Sequence, residues 1–457
     1  MGSSGWARAT SDRYGALACG AALFILLLAA ASASAQTDWQ RCSKSDTAPD
    51  DGVAACTRII DSGAERGENL GIAHFNRANG WLARREFDRA VADFSAAIAL
   101  GPGNAKAYFN RGNTFAALGA YDRAVADFSA VLRIDPNDVA AYGSRGLAFY
   151  GQGDFASAII DLDQAIRRDP ANIRALTARG LAWRGKGEFD MAVADFGRAL
   201  ALDPKDARAH NERGATLHAA GRFDQALGDF AEAIMLNPKL AAAYVNRGLT
   251  QMARNNLDVA IADFDDAIRL DPADAGARVN RGTALQLKGD LEAAGAEFER
   301  AILLAPNSAQ AYAGRGSVHL GRADYERALA DFDRAISLAP DLEVAYANRG
   351  RAFRAKGDLA RAIADFDAAI RLAPTDSSSY NSRAWTYHLA GRDAEGLVDA
   401  DKAIALDPSN ALAFDTRGTV RLKLGQRDSA IEDFRRALAL NPWLKSAEEA
   451  LARLGVK

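Results

Sequence analysis

The sequence predicts an all-α solenoid, a stack of antiparallel helix pairs. Three observations carry that prediction. Eleven prolines fall at 102, 136, 170, 204, 238, 272, 306, 340, 374, 408 and 442, every step being 34 residues, and only Pro49 lies outside the series. Small residues recur in step with the prolines at helical spacing. The chain has 457 residues, beyond the ~250–300 at which a single compact core stops growing, so it must be divided or repetitive. A fixed period of this size means supersecondary units that each bury an apolar face against the next.

With the proline at position 32, the first repeat begins at Gly71 and eleven repeats follow. Position 8 is glycine in nine of them, Gly112 to Gly418, with Ala78 and Ala384 in the other two. Position 20 is alanine in ten, Gly396 excepted, and position 27 is alanine in ten, Val131 excepted. Position 24 is phenylalanine in nine, Leu162 and Ala400 differing. Small residues let two helices approach closely, and the phenylalanine fills the space beside them. Position 15 is glycine in eight repeats and Asn255 in another. Both residue types tolerate the left-handed conformation that ends a helix, so the first helix of each pair, helix A, stops there. The proline closes the turn after helix B.

The ends differ from the array. Arg8 and Arg13 precede a stretch without charge from Tyr14 to Thr37, with an apolar heart at residues 21–30 and Ala33-Ser34-Ala35 at its end. This is the layout of a secretory signal peptide, residues 1–35, cleaved after Ala35. The alternative is an uncleaved membrane anchor, since the stretch is long enough to span a bilayer. Either way the remainder is exported, to the periplasm or beyond in the first case and N-terminally anchored facing the periplasm in the second. The three cysteines are Cys19, Cys42 and Cys56. Residues 36–70 read as a degenerate half-repeat, in which Cys56 aligns with Phe94 and Gly52 with Ala90. Export favours a Cys42–Cys56 disulfide joining its two short helices, worth ~3 kcal/mol for a loop of about 15 residues. A free thiol pair is the alternative, without C-x-x-C spacing or a nearby histidine to support it. At the other end, residues 445–457 read as a capping helix, with Ala447, Leu451 and Leu454 inward and Lys445, Glu448, Glu449 and Arg453 outward.

Charge and motif exclude several functions. Fifty-six basic against fifty-nine acidic side chains give a net charge of −3, with no Lys/Arg-rich block, so nucleic acid is not an expected partner. The five histidines, His74, His210, His218, His319 and His388, form no metal-ligand spacing, and no nucleophile or phosphate-loop motif occurs. No catalytic residue, metal or cofactor is assigned, and an enzyme is not expected.

The repeat resembles the tetratricopeptide (TPR) family from Gly71 to Leu444: small residues at positions 8, 20 and 27, phenylalanine at 24, proline at 32, and an aromatic at position 11 in about half the copies (Trp81, Phe115, Trp183, Phe353). That resemblance implies a right-handed superhelix whose A helices line a concave groove. Ligands of the family contact positions 2, 5, 6, 9, 12 and 13 of helix A. Position 6 carries Asn76, Asn110, Asn246, Asn280 and Asn348, suited to gripping a peptide backbone, with other residues between them. The remaining groove positions lean basic, with Lys106, Arg174, Arg184, Arg208, Arg351, Arg354 and Lys423 against Glu212 and Asp415. A net-basic groove on a net-acidic chain suits an acidic ligand. Position 7 departs from the family. It is arginine in all eleven repeats where leucine is usual, and position 23 is acidic in all eleven. Buried charge needs a partner, so a ladder of pairs is expected, such as Arg111 with Asp127 and Arg247 with Asp263. The alternative is an arginine rail facing the ligand. The expected function is a non-catalytic scaffold or adaptor for proteins or peptides. The alternative is a module binding an acidic polysaccharide or cell-wall fragment.

Overall fold

A computed structural model describes residues 36–456, and among these the chain forms 25 helices and no strand. The leader expected at residues 1–35 lies outside the described residues.

Two compact bodies divide the chain after Arg222. The first opens with α1 (36–42) and α2 (Pro49–Asp61). It continues with the A/B pairs α3 (Gly67–Ala83) and α4 (Phe87–Leu100), α5 (Ala105–Ala117) and α6 (Tyr121–Ile134), α7 (Val139–Gly151) and α8 (Phe155–Arg168), α9 (Ile173–Gly185) and α10 (Phe189–Leu202), and ends with α11 (Ala207–Ala219). The second begins with α12 (Phe223–Leu236). Its pairs are α13 (Ala241–Ala253) and α14 (Leu257–Leu270), α15 (Ala275–Lys288) and α16 (Leu291–Leu304), α17 (Ala309–Gly321) and α18 (Tyr325–Leu338), α19 (Glu343–Ala355) and α20 (Leu359–Leu372), α21 (Ser377–Leu389) and α22 (Asp393–Leu406), α23 (Ala411–Lys423) and α24 (Arg427–Leu440). The helix α25 (Lys445–Arg453) follows. Within each body every helix packs on its chain neighbours, and consecutive A helices touch, as α7 and α9 or α21 and α23 do.

Short-range chemistry sets the period. Helix B ends at position 30. The proline at 32 forces the residue before it out of helical backbone, as at Asp135 (φ −128°, ψ 97°) and Asp271 (φ −132°, ψ 91°). Two residues after the proline, a short polar side chain caps the next helix in eight of the eleven places, leucine standing at the other three (Leu240, Leu342 and Leu444). Asn104 accepts from the Ala107 amide at 3.1 Å, Asp138 from Ala141 at 2.9 Å and Asp274 from Ala277 at 3.0 Å. Such caps satisfy an amide that the helix leaves open.

Position 24 fills the middle of each pair. Phe128, Phe264 and Phe332 are fully buried. A Cβ at Gly112, Gly248 or Gly316 would approach their rings to 2.9, 2.7 and 2.8 Å, so the ring would have to shift to admit it; in repeat 1 Ala78 and Phe94 share the core. Repeat 10 solves the same problem in reverse. It carries Ala384 at position 8 and only Ala400 at position 24, both fully buried.

Helix A ends in left-handed backbone at position 15 in every repeat, and in two of them the residue is neither glycine nor asparagine. Arg85 (φ 61°) and Ala323 (φ 59°) adopt it nonetheless. The neighbouring turns hold them there against a steric penalty of order 1 kcal/mol. Ala323→Gly is therefore expected to stabilise its repeat by about 1 kcal/mol, read as a higher midpoint in chemical denaturation. An unchanged or lowered midpoint would show that the turn is not strained.

Both ends of the array are covered. Cys42 and Cys56 are joined by a disulfide and are fully buried with Ala55 and Ala73. Gly52 leaves room for Ser45, whose Cα would lie 2.4 Å from a Cβ at that position. At the C-terminus Ala447 and Leu451 of α25 are buried, and Glu448, Glu449 and Arg453 face solvent.

Candidate functional site

The position-7 arginines lie between helices. Arg111 donates from Nε and Nη2 to the two carboxylate oxygens of Asp127 at 2.8 and 2.7 Å, a fork-to-fork pair. The same arrangement recurs at Arg145–Asp161, Arg179–Asp195, Arg315–Asp331, Arg349–Asp365, Arg383–Asp399 and Arg417–Asp433. Arg247 reaches Asp263 at 2.6 Å and Arg281 reaches Glu297 at 3.2 Å. The acids are all but sealed from solvent, Asp127 being 4 % exposed. These guanidinium groups are committed to the fold.

A third arm of the arginine is absent from the sequence-based expectation. Nη1 reaches back to position 25 of the preceding repeat: Arg111 to Ser95 at 2.8 Å, Arg179 to Asp163 at 2.8 Å, Arg383 to Asp367 at 2.6 Å and Arg417 to Asp401 at 2.7 Å. Each such arginine thus joins its own helix A, its own helix B and the previous helix B. Arg77 does the same with Thr57 of the half-repeat at 3.2 Å, so α2 supplies the surface that a full repeat would. Gly197 and Ala231 stand at position 25 ahead of Arg213 and Arg247, and neither has a side-chain oxygen to offer. At the far end Arg435 occupies position 25, and Leu451 takes the place of the arginine.

The two-acid arrangement holds the Arg349 and Arg383 guanidinium groups above their ordinary pKa, chiefly through the bonds they donate to Asp365 and Asp399. At Asp93 burial pushes the carboxyl up, but bonds from His74 (2.8 Å) and Arg77 outweigh it and leave the pKa below its ordinary value. A carboxylate depressed in the folded state contributes stability that is present above its unfolded pKa of about 3.9 and is lost as pH falls through the folded value. Protection factors of the amides in α3 and α4, corrected for the intrinsic pH dependence of exchange, should accordingly fall on acidification below about pH 4, and Asp93→Asn should remove that acid-induced step. Persistence of the step in the variant would assign it elsewhere.

The exposed A-helix positions are less open than their residue types suggest. Asn110 donates to Asn79 at 2.9 Å and Asn348 to Ser317 at 3.0 Å, tying position 6 to position 9 of the preceding helix A. Asn76, Asn246 and Asn280 are half-buried on the same face. Arg184 pairs with Glu212 at 2.9 Å. Arg354 donates to the Ser382 carbonyl at 3.2 Å. Both therefore span from position 12 to position 6 of the next repeat. Arg354 has no carboxylate partner among the described residues. Burial lowers its guanidinium pKa, and the charge of Arg351 adds to the effect. Arg351 is exposed and donates to Asn348 Oδ1 at 3.3 Å. Lys106, Arg174, Arg208 and Lys423 are exposed. Asp415 lies beneath α25, accepting from Ser446 at 2.6 Å, and burial raises its carboxyl pKa.

Three cavities run in series along this face of the first body. One of about 220 Å³ lies between α3, α5 and α7, with Phe75 and Phe109 in its wall. The next, about 140 Å³, opens over Gly143 and is bounded by Phe109, Leu147, Leu162 and Arg174. The last, about 510 Å³, is bounded by Leu147, Ile173, Leu181, Arg174 and Arg208.

Within each body, helix pairs packed side by side on a 34-residue period define a helical-repeat protein. The chain belongs to the tetratricopeptide-repeat family. Tetratricopeptide-repeat profiles match residues 75–139, 144–194, 245–309 and 288–343, then 207–240 and 344–376, and 413–442, and a TPR-repeat profile matches 184–221. No curated protein sequence matches the chain. Among solved structures the Cut9–Hcn1 hetero-tetramer of the APC/C is similar in fold, with a TM-score of 0.51, 14% identity, and 88% of this chain and 92% of that one covered. Yeast Tom70 aligns with a TM-score of 0.45 and 18% identity over 84% of this chain and 94% of its own. A tetratricopeptide repeat protein of Parabacteroides merdae gives 0.48 and 24% over 54% and 98%. Proteins of this family bind protein partners, and among the described residues no helix is long and apolar enough to cross a membrane.

Proposed function

We propose that the protein is a non-catalytic adaptor, exported through its N-terminal leader, that holds partner proteins or peptides along its A-helix face. The observation that carries this reading is the Arg351/Arg354 pair. Two guanidinium groups lie one helical turn apart on that face, Arg354 half-buried, and among the described residues neither forms an ion pair, although the charge of Arg351 acts on the Glu343 carboxylate. Elsewhere in the chain buried guanidinium groups are matched by acids, because unpaired buried charge is unfavourable. An acidic group on a ligand would complete this pair as the position-23 acids complete the ladder. The disulfide in the half-repeat supports export to an oxidising compartment. The apolar cavities along the first body favour a peptide over a polysaccharide, which would present hydroxyl and carboxylate groups to them.

The test is affinity capture from the exported fraction by residues 36–457, compared with Arg351→Glu/Arg354→Glu. Retention of defined proteins by the parent chain and their loss from the variant is the expected result. An unchanged set of captured proteins would remove the arginine pair from the binding surface, and capture of nothing by the parent chain would remove the adaptor reading.

A further inference from the structure

We infer that the array has two weak joints, the α10–α11 and α12–α13 interfaces, which open locally before the other junctions between full repeats. Each joint lies within one body, α10 and α11 in the first and α12 and α13 in the second. The inference goes beyond the adaptor reading and does not depend on it.

The third arm of the ladder singles these two junctions out. Besides the arms already described, Arg145 reaches Ser129 at 3.0 Å, Arg281 reaches Asp265 at 2.8 Å and Arg349 reaches Asp333 at 2.6 Å. At Arg315 the Glu299 carboxylate acts through its charge. A hydrogen bond to a charged group contributes more than a neutral one, and each of these bonds ties one repeat to the next. Ahead of a full repeat, position 25 lacks a side-chain oxygen only at Gly197 and Ala231, in consecutive repeats. Repeat 5 is thus bounded on both sides by junctions without the arm. The nearest atom to where a Gly197 Cβ would stand is Nη1 of Arg213, at 3.9 Å. The arginine keeps the place it has elsewhere in the ladder, and what is missing is the acceptor on α10.

The same two B helices carry a second weakness. Helix interiors disfavour glycine, and α10 and α12 each hold one, Gly197 and Gly228, that no close approach requires. No atom lies nearer than 3.9 Å to a Cβ at Gly197, and none lies within 4 Å of one at Gly228. The other glycines inside a helix B are in contact, Gly295 with Val318 at 3.5 Å and Gly396 with the Ala384 carbonyl at 2.9 Å. In a repeat array each unit is held by its neighbours, so a missing tie beside a weakened helix lowers the cost of opening at that place.

The test is amide exchange in residues 36–457, read as protection factors. Those of α10 and α12 are expected to lie at least tenfold below those of α8 and α20, whose Asp163 and Asp367 accept the arm. Gly197→Asp supplies the missing oxygen and should raise protection in α10 and α11 at least tenfold. Gly197→Ala is the comparison, because alanine is the better helix former yet offers no oxygen, so the aspartate variant should be the better protected of the two. Ala231→Asp should raise protection in α12 and α13 even though it lowers helix propensity. Asp367→Ala should create a joint where none exists, lowering protection in α20 and α21 at least tenfold. Equal protection along the parent array would overturn the proposal. So would a Gly197→Asp protein no better protected than Gly197→Ala, no gain from Ala231→Asp, or an Asp367→Ala protein that exchanges as the parent does.

Discussion

Replacing Arg111 by leucine is expected to destabilise the second and neighbouring repeats by about 3–5 kcal/mol. The substitution restores the residue type usual in the family, yet it leaves the Asp127 carboxylate, 4 % exposed, without its two donors and Ser95 without the bond from Arg111 Nη1. An unpaired buried charge is the dominant penalty, larger than the packing gained from leucine. The complementary expectation is that Arg111→Leu with Asp127→Leu recovers most of the loss, since a well-packed apolar pair of similar volume is often as stable as a buried ion pair. In a repeat array opening is local, so the readout is amide exchange in α5 and α6. Acceleration by a factor of a hundred or more is expected for the single variant, from roughly 1.4 kcal/mol per tenfold. A single variant that exchanges like the parent would show that the ladder contributes neither register nor stability.

Phe264→Ala carries the second large effect, about 3–5 kcal/mol from lost apolar burial plus the cavity left behind. Phe264 is fully buried, its ring directly above Gly248, between α13 and α14. Repeat 10 indicates how the loss can be offset, because there an alanine at position 8 faces an alanine at position 24. Phe264→Ala with Gly248→Ala should therefore lose less than Phe264→Ala alone, both by partial filling and by the better helix propensity of alanine. Urea-induced unfolding of the three proteins measures it. A double variant no more stable than the single one would mean that the gap cannot close in this repeat.

Most of the fold was legible because the features that specify it act locally and recur. The proline at 32, the glycine at 15 and the small residues at 8, 20 and 27 each answer one steric demand, and eleven copies remove ambiguity. The inner arms of the ladder were legible for the same reason, since positions 7 and 23 are invariant in charge along the chain. The outer arm was visible in principle. In eight of the eleven repeats position 25 offers a side-chain oxygen, at Ser95, Ser129, Asp163, Asp265, Glu299, Asp333, Asp367 and Asp401, but its significance depends on which helix stacks on which. Arg85 and Ala323 were not legible as left-handed residues, because their own chemistry opposes that conformation and the surrounding turn imposes it. On the A-helix face, residue type alone misjudged availability. Asn110, Asn348 and Arg184 each find a partner one repeat away, and the opening over Gly143 depends on Leu162, nineteen residues along the chain.

The most direct test of the A-helix face as the working surface is quantitative capture from the exported fraction by four versions of residues 36–457: the parent, Arg351→Glu/Arg354→Glu, Gly143→Phe, and Arg371→Glu on the exposed end of α20. The predicted result is that the parent and Arg371→Glu retain the same proteins in the same amounts, while the two A-helix variants, folded as the parent is, lose some or all of them. Equal retention by all four would contradict a binding role for this face.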